Sequence, residues 1–98
     1  MSLATQFILD ITAVRMQHGR DDLRGVEAVR WESISAVREE CSVGDLIWWM
    51  TRGGGRAYVR LPDGVRGPRI EVVDGRRFHL RSGPADDGYD CLLRLPRI

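Results

Sequence analysis

Between Ser42 and Gly55 the chain carries its one clear amphipathic segment, short and closed at both ends. Val43, Leu46, Ile47 and Met50 follow the i, i+3, i+4, i+7 spacing of a single helix face. Trp49 extends that stripe and Trp48 points away from it. Ser42 stands where its hydroxyl can accept from the N–H three residues on, and Asp45 sits in the first turn, where a carboxylate suits the helix dipole. Gly53-Gly54-Gly55 supplies the stop, because glycine takes a left-handed cap conformation without steric cost. A helix of about ten residues is marginal in water and persists only when its apolar face is docked. The rest of the chain must therefore build the surface that receives it.

That surface reads as sheet. Phe7 to Met16 places Phe7, Leu9, Ile11 and Ala13 on one side and Asp10 and Thr12 on the other, the period of a half-buried strand. Val26 to Ser33 fits two periods. As a strand it opposes Glu27, Val29 and Trp31 to Val26, Ala28 and Arg30; as a helix it would align Val26, Val29, Val37 and Cys41. Its β-branched and aromatic content favours the strand, and how far that strand runs toward Val37 stays open. In Arg56 to Leu61, Ala57, Val59 and Leu61 oppose Arg56, Tyr58 and Arg60, and Pro62-Asp63-Gly64 closes the run as a turn.

Arg69 to Val73 and Arg76 to Arg81 flank Asp74-Gly75, a hairpin signal. A two-residue loop would set Val72 and Arg77 on one face, so a three-residue loop, Val73 to Gly75, is expected instead. It places Ile70 opposite Phe78 and Glu71 opposite Arg77, with Ile70, Val72, Phe78 and Leu80 inward and Glu71, Arg77 and His79 outward. Ser82 to Gly88 reads as loop. Tyr89 to Ile98 is too apolar for a free tail and is expected to dock. The expectation is a single small α+β domain over residues 1–98: a twisted antiparallel sheet of four or five strands packed on the helix around Val43 to Met50, with the C-terminal segment covering an edge.

The order of these signals resembles the domain of unknown function 3892 family of small bacterial domains. The resemblance rests on Ile11-Thr12-Ala13-Val14-Arg15, Val29-Arg30-Trp31, Phe78-His79-Leu80-Arg81-Ser82, Asp86-Asp87-Gly88 and Asp90-Cys91-Leu92-Leu93-Arg94-Leu95-Pro96. His79 stands where that family has an aromatic residue, Ser82 where it has threonine and Cys91 where it has asparagine. The resemblance implies the fold and brings no established activity.

Chemistry is read mostly by elimination. A chain of 98 residues with 43% apolar content is large enough for one core without disulfides or metal. Cys41 and Cys91 read as reduced thiols, and neither has a local signature joining it to His18 or His79 as a nucleophile pair or as zinc ligands. The acidic pairs Asp21-Asp22, Glu39-Glu40 and Asp86-Asp87 read as solvated loop or strand charges. The glycine run follows a helix, whereas phosphate loops precede one, so no cofactor is expected.

Fifteen basic and fourteen acidic residues leave a net charge of +1, so any basic site has to be local. All fifteen are arginine, which makes the arginine count itself uninformative. No apolar run reaches the roughly 18 residues of a membrane span, and the apolar N-terminal stretch lacks a basic leader, so a cytoplasmic protein without membrane contact is expected. One constellation stands out: Trp48, Arg52, Arg56, Tyr58 and Arg60, aromatic rings interleaved with arginines along the helix end and the polar face of the next strand. The reading is a non-catalytic binding or interaction module, with a protein partner or weak homo-oligomer, rather than an enzyme. The alternative is single-stranded nucleic acid or phosphate groups held by the arginine and aromatic surface.

Overall fold

The computed structural model describes residues 3–74, 78–83 and 90–98. Seven strands and one α-helix follow in the order β1 (Ile8–Met16), β2 (Val26–Ser33), β3 (Arg38–Ser42), α1 (Val43–Arg52), β4 (Arg56–Arg60), β5 (Arg66–Arg69), β6 (Glu71–Val73) and β7 (His79–Arg81). Five strands form one sheet in the order β3-β2-β1-β4-β5, and β6 and β7 form a second. The α+β class, the five-stranded sheet and the docked helix are as expected. Not every pairing is antiparallel: β4 runs parallel to β1, because β2, β3 and α1 carry the chain out and back before β4 is laid down, and the Val14–Arg97 bridge to the C-terminal segment is parallel as well. Side-chain alternation reports faces and not strand direction, so period two carried no sign of this.

Strand β1 is central and defines the two faces. Leu9 and Ile11 point to the core with Trp31 of β2 and Ala57 and Val59 of β4, while Asp10 pairs across to Glu32 and Tyr58 on the other side. At Thr12 an extra residue interrupts the β1/β2 register, a β-bulge, and the alternation changes phase so that Val14 faces inward opposite Val29. The strand begins at Ile8, so Phe7, expected inward, lies before the first paired residue and is exposed. Val26 to Ser33 is strand, and the chain then turns through Ala36, whose φ of 66° is left-handed, into β3. The helical alternative for this stretch does not occur. Strand β3 was not visible in the sequence.

Helix α1 starts where expected. Ser42 Oγ accepts from the Asp45 N–H at 3.0 Å, and Leu46 and Trp49 are buried while Trp48 is exposed. The stop is more specific than a generic glycine cap. Gly53 keeps right-handed angles, Gly54 takes the left-handed turn with φ of 70°, and a Cβ on Gly55 would lie 2.2 Å from the Trp49 ring. Glycine at 55 is therefore required by the indole, whose Nε1 donates to the Gln6 carbonyl at 3.0 Å.

The chain from Arg66 to Val73 stays extended but changes sheets at Ile70. The Ile70 N–H still bonds the Ala57 carbonyl of the large sheet, and the next residue opens β6. The observed β6/β7 register pairs Glu71 with Arg81, Val72 with Leu80 and Val73 with His79. The connection is thus longer than the expected three residues, and Glu71 meets Arg81 instead of Arg77. Gly75 and Arg77 lie outside the described residues. Ile70 and Leu80 are inward as expected, but Phe78 precedes the paired strand and is exposed.

The C-terminal segment docks by closing the sheet. Past Ile11, where β4 leaves β1, the Val14 N–H donates to the Pro96 carbonyl and the Ile98 N–H to the Val14 carbonyl. A short 3-10 turn, Cys91–Arg94, lowers Leu92 and Leu95 into the core, capped by Asp90, whose carboxylate accepts from the backbone of Leu92 and from the backbone and hydroxyl of Ser82. Leu46→Ala, which empties a fully buried site between helix and sheet, is expected to cost about 2 to 5 kcal/mol in denaturant melts, and Trp48→Ala much less; equal losses would contradict the helix phase.

Candidate functional site

The expected surface residues separate onto two sides of the molecule. Trp48 and Arg52, one turn apart on α1, are exposed on the flank of the helix that faces away from the sheet. Arg56, Tyr58 and Arg60 alternate onto the opposite side, the outer face of the five-stranded sheet. The sequence placed them together because only three glycines, Gly53 to Gly55, separate Arg52 from Arg56; the sheet itself comes between the two groups.

On the helix side, Trp48 meets a partner that the sequence had assigned to the core. Phe78 and Trp48 line one open groove with Val43, Gly44, Ile47, Thr51 and Arg52. Trp48 is 61% exposed and Phe78 57%, large values for rings of this size. The groove floor is apolar, since Val43 and Ile47 belong to the half-buried shoulder of the helix stripe. Parity in the hairpin would have sent Phe78 inward; its position in the connection, before β7 begins, releases it from that rule.

The sheet side is electrostatic. Register places Arg15, Arg30, Arg38, Arg56, Arg60 and Arg66 on one face with only Asp10, Glu32 and Glu40 to offset them. Asp10 accepts from Arg60 at 3.0 Å and from Nε of Arg66 at 2.9 Å. Glu32 joins Arg60 at 3.3 Å to Arg38 at 2.6 Å, and Glu40 joins Arg15 to Arg30, both at 3.1 Å. The Arg66 guanidinium also lies 4.9 Å from the centre of the Tyr58 ring, a cation–π distance. Burial pushes the Asp10 carboxyl up, but the hydrogen bonds from Arg66 and Arg60 prevail and hold it below the usual carboxylate range. The hydrogen bond from Arg38 does the same for Glu32, against its partial burial.

The remaining chemistry-bearing residues have structural surroundings. Cys41 points from β3 toward the helix side, and burial, with the Asp45 and Glu39 carboxylates behind it, pushes its thiol up to about 12. It is therefore protonated at neutral pH and a poor nucleophile. Cys91 is buried in the 3-10 turn and forms no disulfide. Asp21 and Asp22 turn to different arginines, Arg97 at 3.4 Å and Arg20 at 3.0 Å. They flank a shallow depression with His79 and Asp90. Asp86 and Asp87 lie outside the described residues. Among the described residues no three His, Cys, Asp or Glu side chains gather as a metal site, and no helix is long and apolar enough to cross a membrane. Comparison with protein-family models, with curated proteins and with solved structures found no match to this chain.

The depressed carboxyls of Asp10 and Glu32, on the sheet face, make a pH prediction. A carboxyl whose folded value lies below its unfolded one contributes stability above the unfolded value and loses it as pH falls through the folded value. Denaturant melts on the wild type should therefore lose stability progressively from about pH 5 downward. Asp10→Asn should be less stable at neutral pH and should show a flatter acid limb; an unchanged limb would place the acid sensitivity elsewhere.

Proposed function

We propose that this domain is a non-catalytic interaction module that engages a protein partner, or a second copy of itself, through the exposed flank of α1. The observation that carries the reading is the joint exposure of Trp48 and Phe78 over one apolar groove. Neither ring is needed to fill the core, which Leu46 and Trp49 already occupy from the same helix. Aromatic anchors standing over an apolar floor, with polar Thr51 and Arg52 at the rim, are the composition of a contact centre and not of a solvated helix face. The protonated state of Cys41 and the ion-paired state of Asp21 and Asp22 support the non-catalytic side of the reading. The family resemblance in the order of the sequence motifs belongs to the same proposal and adds no activity to it.

Sedimentation velocity across a concentration series tests the self-association form. The wild type is expected to show weak, concentration-dependent dimer, and Trp48→Ala and Phe78→Ala are each expected to shift it to monomer with little change in melting behaviour. A wild type that stays monomeric at every concentration excludes a second copy as the partner, and equal association of wild type and both variants removes the groove from the interface.

A further inference from the structure

The helix, the two-stranded sheet and the closing turn all contribute to one core, on the inner face of the five-stranded sheet. The outer face, in contrast, presents the six arginines and three carboxylates described above. Its excess of positive charge exceeds the +1 of the whole chain, so the remainder of the chain is net negative and positive charge is concentrated on this face. A solvated face that served only solubility would have no need of such segregation, since interspersed charges serve that purpose.

We propose that this open sheet face binds single-stranded nucleic acid, the arginines holding phosphates and the Tyr58–Arg66 pair stacking a base. This goes beyond the helix-flank reading and does not depend on it. The ion pairs do not consume the face. Arg38 is bonded to Glu32 through Nε while its side chain remains 74% exposed, which leaves both terminal amino groups for a ligand. Arg15 and Arg30 each spend one terminal nitrogen on Glu40 and stay nearly half exposed. The Arg56 guanidinium makes no hydrogen bond or ion pair with any described residue, the backbone N–H alone being bonded, to the Phe7 carbonyl. The carboxylates therefore fix where the guanidinium groups stand and lower the side-chain entropy that a phosphate contact would otherwise cost.

A single strand fits better than a duplex because the face is an open five-stranded sheet, about 20 Å across at ordinary strand spacing, with no described element projecting from it as a groove-reading helix would. It also fits better than a protein partner. The face offers no exposed large apolar side chain, only half-buried Ile8, and its one aromatic ring, Tyr58, lies against the Arg66 guanidinium, an arginine–aromatic pair of the kind on which bases stack.

The test is fluorescence anisotropy of labelled oligothymidylate and oligouridylate of about ten nucleotides, titrated with wild-type protein over a series of salt concentrations starting near 50 mM. Binding is expected to weaken with salt, and Arg38→Ala combined with Arg56→Ala should reduce the magnitude of the log–log slope by about 1.4, two phosphate contacts' worth. Arg56 has no described partner to orphan, and Glu32 keeps Arg60 when Arg38 is removed, so this variant should melt like the wild type. Tyr58→Ala should weaken binding about tenfold with the slope unchanged. Absence of binding at the lowest salt overturns the proposal, as does an unchanged slope in the double variant. Equal affinity for heparin or for anionic lipid vesicles, with no loss in Tyr58→Ala, would identify a general polyanion surface and overturn the single-strand assignment.

Discussion

Every other element takes its position from the way strand β1 is hydrogen-bonded along both edges. One edge belongs to β2 for its full length; the other is divided between β4, over Ile8 to Ile11, and the C-terminal segment, around Val14. The Thr12 bulge falls at the division. It re-aims Val14 into the core where Leu92 and Leu95 arrive, so the change of neighbour and the change of phase occur at the same place. Two chain segments far apart in sequence thus complete a single strand position, and the core beneath them is continuous.

That arrangement assigns different chemistry to the two sides of a thin molecule. On the inner face of the sheet Leu9, Ile11, Val14, Val29, Trp31, Ala57 and Val59 are apolar and buried, joined by Ser33 and, on β3, by Glu39 and Cys41; the outer face carries arginines, carboxylates, Tyr58, Ala28 and Ile8. The helix has an analogous division, with Leu46 and Trp49 in the core and Trp48 over the groove with Phe78. The resulting surfaces are unlike each other, one apolar and aromatic, the other charged, and they are separated by the thickness of the core. A ligand suited to one is poorly suited to the other, so occupation of the helix flank leaves the sheet face sterically free.

How much of this was legible follows from what local patterns encode. The helix, its Ser42 cap and the phase that buries Trp49 while exposing Trp48 came from spacing alone, because a docked helix repeats its environment every turn. Strand β3 was missed because Arg38-Glu39-Glu40-Cys41-Ser42 is an edge strand with charges on both faces, and a half-covered edge imposes little apolar alternation. The parallel β1/β4 pairing was missed because direction leaves no trace in period two. Phe78 was misplaced because strand parity was carried past the end of the strand, and that error concealed the aromatic pair that now defines the groove. The five candidate residues lie on two sides of the molecule and not on one, since sequence proximity across a tight glycine loop says nothing about which side of a sheet the chain emerges on. The ion-pair lattice was also hidden, its partners being as distant as Asp10 and Arg66.

The passage of one extended segment from the large sheet to the small one at Ile70 bears on how the molecule comes apart. A two-stranded ribbon such as β6 and β7 has little stability of its own. Here it shares a covalent strand with β5, and the shared residue is at once bonded to Ala57 and fully buried against the core. Opening the ribbon therefore pulls on β5 and on the packing beneath β4, and loosening β4 frees the ribbon. Coupled through Ile70, the two sheets are expected to open together, and the helix-flank groove, whose wall at Phe78 precedes β7, is tied through that shared strand to the central sheet.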